Sequence, residues 1–311
     1  MTTGLLVDWL LSPWAMAVLG LAIGSFLNVV AYRLPLMLER QWWSEVHGQL
    51  GDAESHRRVF KTDAPRELGL AHQGLDKSLQ ALPRFDLAMP GSRCPSCGHV
   101  IRWHENLPLL GWLRLGGRCS ACKTRISVRY PLVELATGAL FAAVSWRHGA
   151  QPATLLYAGF AAALVALTLI DWDTTVLPDA ITQPLLWAGL VAAALGWLPG
   201  LALSTSVWGA VVGYGALWSV YWLFKLTTGK EGMGYGDFKL LGALGAWLGW
   251  KAILPIVLMA SILGAVVGVL MKVKGSLREG RFVPFGPFLA GGGLVVLLAG
   301  LGTVLEWIGW A

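Results

Sequence analysis

Past residue 135 acidic side chains become rare, and most of those that remain gather at junctions between apolar runs. Asp171, Asp173 and Asp179 fall within DWDTTVLPD, and Asp237 closes three alternating glycines in GMGYGDFKLL. A carboxylate at membrane depth is costly and marks function when it has a partner. Two carboxylates on separate helices suit general acid and base work on a water held between them, because like charges so close share one proton and titrate as a unit. That is aspartic protease chemistry; a proton relay in a transporter would use the same acids. Asp179, after Pro178 and before an apolar run, reads as a helix-start acid that satisfies free N–H groups. Asp173 reads as a turn residue of the same kind or as a neighbour that tunes the site. Asp171 and Asp237 are harder to explain as caps. The glycines at 232, 234 and 236 predict an unwound helix end with backbone angles that other residues resist. Rival chemistries lack residues. His104 and Glu105 have no second histidine to complete HExxH, no GxSxG elbow occurs, and no strand precedes the glycines to make them a nucleotide fingerprint.

All four cysteines form two further motifs, CPSC (Cys94, Cys97) and CSAC (Cys119, Cys122). Paired Cys-x-x-Cys knuckles at this separation predict a zinc ribbon, in which four thiolates close a tetrahedral shell and leave no open position for chemistry. Redox pairs or disulfides are the other reading, disfavoured in a reducing cytosolic loop. Such a metal stands in for a core in a segment too small to bury one, so it is scaffold.

The elements that must carry these residues follow from composition. At 55% hydrophobic and 14% charged, with 17 Trp, the chain is too apolar for one water-surrounded globule. Apolar stretches near 12–32, 131–147, 153–170, 180–199, 206–224, 238–250, 253–271 and 287–309 predict an all-α polytopic membrane protein with about eight transmembrane helices. Residues 1–11 hold Asp8 and no Lys or Arg, which argues against a cleaved signal peptide. The expected division is 1–32, a first membrane helix; 33–130, a cytosolic domain with the zinc ribbon; and 131–311, a membrane core. Residues 33–130 hold fifteen of the 24 Lys and Arg, and the alternation of spans places Lys225, Lys230, Lys239, Lys272, Lys274, Arg278 and Arg281 on the same face, leaving Arg147 and Lys251 opposite. The positive-inside bias then puts the amino terminus outside and all four acids at the cytosolic face. The net charge of +6 suits an anionic inner leaflet and calls for no nucleic acid. Residues 36–90, with the Trp42–Trp43 pair, predict short helices lying on the membrane or on the ribbon.

Seven segments, in order, resemble the prepilin leader peptidases of type IV pilus and type II secretion systems, membrane aspartic proteases of the GxGD kind. They are GSFLNVVAYRLP (24–35), the CxxC knuckles, ENLPLLGWLRLGGRCSAC (105–122), ISVRYPLVEL (126–135), DWDTTVLPD, GMGYGDFKLL and FGPFLA (285–290). The resemblance implies an inner-membrane enzyme that removes a short basic leader from prepilins and pseudopilins after a glycine. It also implies methylation of the new amino terminus from S-adenosylmethionine. It places the catalytic pair on Asp171 and Asp237, with Asp173 in reserve, and leaves the methyl-donor site to the region of the GSFLN turn, Glu105 and Asn106. The charged stretch near 45–85 is the main departure from the family. A proton-coupled transporter and a secretion-system assembly scaffold are the other function classes.

Overall fold

The computed structural model describes residues 2–274 and 283–310; Arg278 and Arg281 lie outside the described residues. Among the described residues there is no strand, only isolated bridges at Arg93–Val100 and Arg118–Arg125. The helices, in chain order, are α1 (Thr2–Leu10), α2 (Pro13–Gly51), α3 (Ala53–Phe60), α4 (Arg66–Gln80), α5 (Leu110–Arg114), α6 (Arg129–His148), α7 (Pro152–Thr174), α8 (Asp179–Ala194), α9 (Leu203–Thr228), α10 (Tyr235–Leu248), α11 (Ile253–Val273), α12 (Gly286–Ala299) and α13 (Leu301–Trp307). The chain divides into two compact units: one runs to Asn28 and resumes at Trp103, and the other is Val29–Arg102.

Each of the eight expected spans contains a helix, and among the described residues four segments are long and apolar enough to cross a bilayer: Pro13–Gly51, Pro152–Thr174, Leu203–Thr228 and Trp250–Val273. The pair α12 and α13, bent by 110° at Gly300, would make a fifth. Length and composition thus support four or five of the eight expected spans among the described residues. Helix α8 has 16 residues and α10 has 14. At 1.5 Å per residue they reach about 24 and 21 Å, short of a hydrocarbon core of about 30 Å. Helix α6 carries Arg129, Glu134 and Arg147.

Helix α10 is the centre of the larger unit. Phe238, Leu240, Leu241, Ala243, Leu244 and Ala246 are all completely buried, so the helix is apolar on every side because protein surrounds it. It packs on α8, α9 and α12. Its approach to α9 is backbone on backbone: a Cβ on Gly209 would collide with the Gly245 carbonyl, and one on Gly213 with the Leu241 carbonyl. Small residues four apart serve α2 in the same way, since a Cβ on Gly20 would lie 2.7 Å from the Thr137 carbonyl and one on Gly24 would lie 2.8 Å from Cα of Glu134.

The smaller unit corrects the reading of residues 36–90. The chain does not break into short helices after the first span; α2 continues through Pro35 to Gly51, and only α3 and α4 are short. Asp52 caps α3 by accepting from the Ser55 N–H at 2.8 Å. Below them, Asp86 closes a turn by accepting from the N–H groups of Ala88 and Met89. Arg33 donates to the carbonyls of Asp86 and Pro90 and lies over the Phe85 ring.

Candidate active site

Asp171 sits in the last turn of α7, 4% exposed. That turn is closed by the Thr175 N–H donating to the Asp171 carbonyl at 2.8 Å, with Thr175 in a left-handed conformation at φ 55°. A non-glycine residue there is strained and held by its surroundings. The Asp171 carboxylate accepts the Gly286 N–H at 3.0 Å, a backbone donor at the start of α12 where the helix dipole favours negative charge. Gly286 must lack a side chain, because its Cβ would fall 2.6 Å from that same carboxylate oxygen.

Asp237 lies in the first turn of α10, 8% exposed. The loop before it, residues 229–234, leaves α9 through Gly229 in the left-handed region and reaches Gly234 in an extended conformation. Contrary to the expectation from sequence, Gly232, Gly234 and Gly236 do not use backbone angles closed to other residues. Gly232 and Gly236 are needed for space: Cβ atoms there would meet the Phe224 ring at 2.9 Å and the Leu177 side chain at 2.8 Å. Asp171 and Asp237 line one cavity of about 710 Å³, together with Asp173, Leu177, Glu231 and Tyr235.

The remaining acids are engaged. Asp173 is held by both terminal nitrogens of Arg129, each at 2.7 Å. Asp179 is the acid in the first turn of α8, as expected, but no helix N–H reaches its side chain: the carboxylate takes the Lys239 ammonium at 2.7 Å on both oxygens and the Thr182 hydroxyl at 3.5 Å. Glu231 accepts from Lys225 at 2.8 Å and Tyr221 at 3.2 Å, while Tyr221 also meets Tyr235. The hydrogen bond from Lys225 holds the Glu231 carboxyl below its ordinary range. This cluster anchors the glycine loop at the cavity edge.

The cysteine motifs form two knuckles of the same design. The Gly98 N–H donates to the Cys94 carbonyl and the Cys94 N–H to the His99 carbonyl, with Gly98 at φ 71°. In the second, the Lys123 N–H donates to the Cys119 carbonyl and the Cys119 N–H to the Thr124 carbonyl, with Lys123 at φ 61°. The first knuckle belongs to the smaller unit and the second to the larger.

GSFLN is not a turn: residues 24–28 lie inside α2. Asn28 donates to the carbonyls of Gly24 and Tyr130. Asn106 is exposed in a turn whose N–H bonds the Trp103 carbonyl, and Glu105 packs its carbonyl against Gly111. The turn is pinned by a residue that sequence reasoning left without a role. Glu134, buried in α6, accepts the N–H of Leu109 at 2.8 Å, with Leu109 at φ 57°. A lone glutamate within the apolar run PLVEL was the available signal. Gly286 gave none, since its contribution is a backbone N–H.

The Bacterial Peptidase A24 N-terminal domain matches residues 18–148, and the Type IV leader peptidase family matches residues 158–269. A prepilin leader peptidase/N-methyltransferase of Pseudomonas putida is 51% identical over 91% of this chain and 89% of its own length. Proteins of the same description from Stutzerimonas stutzeri and Burkholderia pseudomallei are 48% and 47% identical over 91% of this chain, and 89% and 84% of theirs. No solved structure matches the chain significantly. Neither the matched families nor these relatives are transporters or assembly scaffolds.

Proposed function

Because the chain belongs to the type IV leader peptidase family, we propose that it is a membrane aspartic endopeptidase that removes the short basic leader of prepilins and pseudopilins and then methylates the new amino terminus. The observation that carries the peptidase is the pair of buried carboxylates, Asp171 and Asp237, brought by two helices to one cavity. One carboxylate takes a proton from water, the hydroxyl adds to the scissile carbonyl, and the other carboxyl gives its proton to the departing amine. Gly286 orients Asp171 through its N–H, and the anchored glycine loop opens the cavity wall to an extended peptide. The apolar helix that follows a prepilin leader lies among the spans, in the bilayer of the inner membrane. The basic leader meets the acids on the cytosolic side, a placement that the charge bias of the loops supports.

Four thiolates in paired Cys-x-x-Cys motifs suit zinc, and Cys94, Cys97, Cys119 and Cys122 would hold it as a structural ion with no open position for chemistry. S-adenosylmethionine supplies the methyl group when bound. Glu105 and Asn106 offer a carboxylate and a carboxamide on a turn pinned by Glu134, groups suited to its amino and hydroxyl functions. The deciding experiment incubates purified protein with a prepilin and follows its size shift. Asp171→Asn and Asp237→Asn should each abolish cleavage while the protein still inserts, and full cleavage by Asp237→Asn would end this reading.

A further inference from the structure

We infer that Arg129 and Asp173 are positioning residues for proteolysis: their fork holds the last turn of α7 so that Asp171 faces Asp237 across the cavity. The inference rests on the assignment of Asp171 and Asp237 as the catalytic pair. Both guanidinium nitrogens of Arg129 reach the two oxygens of Asp173 at 2.7 Å, and one also approaches the Leu169 carbonyl at 3.5 Å. The donor set thus spans the turn in which Asp171 sits. Asp173 lines the same cavity as the pair.

The placement of the charges argues against a role in stability. Arg129 is the first residue of α6 and Asp173 is the penultimate residue of α7. A cation at a helix start and an anion at a helix end each oppose the local dipole. The side chains are 42% and 37% exposed, where an ion pair contributes little. What the fork supplies is direction, because a planar guanidinium on a carboxylate fixes both distance and orientation. Asp171 then has three restraints on one turn: the Gly286 N–H on its carboxylate, the Thr175 N–H on its carbonyl, and this fork two residues away. Arg129 also lies seven residues beyond Cys122, so the fork ties the segment leaving the second knuckle to the helix that carries the acid.

The test measures kcat and KM for prepilin cleavage by purified full-length variants whose folding is checked by thermal unfolding in detergent. Arg129→Ala and Asp173→Asn should each lower kcat by about tenfold to a hundredfold, the cost of a slightly misplaced reacting group, with KM unchanged. Arg129→Lys, which keeps the charge and loses the fork, should fall between wild type and Arg129→Ala. The exchange Arg129→Asp with Asp173→Arg should recover at least part of the kcat lost by either reversal alone. It also places each charge at the helix end that favours it, so a role confined to stability would raise the unfolding temperature without restoring kcat. Wild-type kcat in both Arg129→Ala and Arg129→Lys would overturn the inference. So would an Asp173→Asn variant with no cleavage that the exchange fails to rescue, since Asp173 would then itself do the chemistry. Asp171→Asn assayed alongside separates the two failures: cleavage by that variant sinks the catalytic assignment, whatever Arg129 does.

Discussion

Replacing Gly286 by Ala is the sharpest test of how Asp171 is held. The added methyl carbon would lie 2.6 Å from Oδ2 of Asp171 and 3.1 Å from both terminal carbons of Leu177, so it cannot share the space with the carboxylate as placed. The carboxylate must rotate away, and the 3.0 Å hydrogen bond from the Gly286 N–H is lost. A hydrogen bond to a charged group contributes about 1.5–3 kcal/mol. At 1.36 kcal/mol per decade of rate, its loss lowers cleavage by roughly tenfold to 150-fold. The control is Gly291→Ala in the same helix, where a Cβ meets nothing within 4 Å and alanine is the better helix former. The assay is the rate of prepilin size shift at saturating substrate, with thermal unfolding in detergent to show that both variants remain folded. A folded Gly286→Ala enzyme that cleaves at the wild-type rate would refute the reasoning, because the backbone N–H would then have no part in orienting the acid.

Three further outcomes follow from other contacts. Cys94→Ser or Cys119→Ser should lower zinc stoichiometry and loosen residues 90–130, harming methylation and substrate docking more than cleavage; chelation that instantly stops cleavage in a folded enzyme would instead put the metal in the catalytic site. Glu134→Ala removes the acceptor of the Leu109 N–H and should reduce methylation with cleavage retained, whereas Glu134→Gln, which can still accept, should keep both; equal methylation in the two variants would count against the pinned turn. Hydrogen bonds from the N–H of Met89, from Arg84 and from the N–H of Ala88 hold the Asp86 carboxyl below its ordinary range. A group so depressed stabilises the fold above its unfolded-state pKa and ceases to as pH falls through the folded one, so the protection of the Ala88 and Met89 amides, measured against free-peptide exchange at the same pH, should fall only below the usual carboxylate range; loss of that protection near neutrality would contradict the turn.

Much of the site was legible because its residues are expensive where they occur. A carboxylate beside an apolar run, twice, pointed to Asp171 and Asp237, and the cysteine spacing pointed to the four thiols. What stayed hidden is carried by groups without a distinctive letter. The donor to Asp171 is a backbone N–H. The fork on Asp173 comes from Arg129, 44 residues away and one of many basic residues in its segment. Lys239 gave no hint that it would meet Asp179, across 60 residues, in place of a helix cap. The fold was legible as eight apolar segments, but hydropathy does not distinguish lipid from protein as the solvent of a helix, and α10 is apolar because α8, α9 and α12 enclose it. The continuation of α2 was masked by the change from apolar to charged sequence after Pro35, which alters the surroundings of a helix without ending it.

The enclosure of α10 also bears on how the protein enters the membrane. A segment of about 21 Å that begins with an acid is a poor candidate for insertion by itself, since the carboxylate costs about 2.5–3.5 kcal/mol at the centre of a bilayer and the length falls short of the core. Helix α9, at 26 residues, is a competent span, and Gly209 and Gly213 give it a face on which another backbone can lie without intervening side chains. This packing predicts that the two helices enter as a hairpin, with α9 receiving α10 and carrying Asp237 in with it. Widening the groove of α9, for instance by Gly209→Leu, would then act on biogenesis: the chain would be synthesised, α10 would remain at the surface, and the defect would appear as a failure of topology before any failure of catalysis.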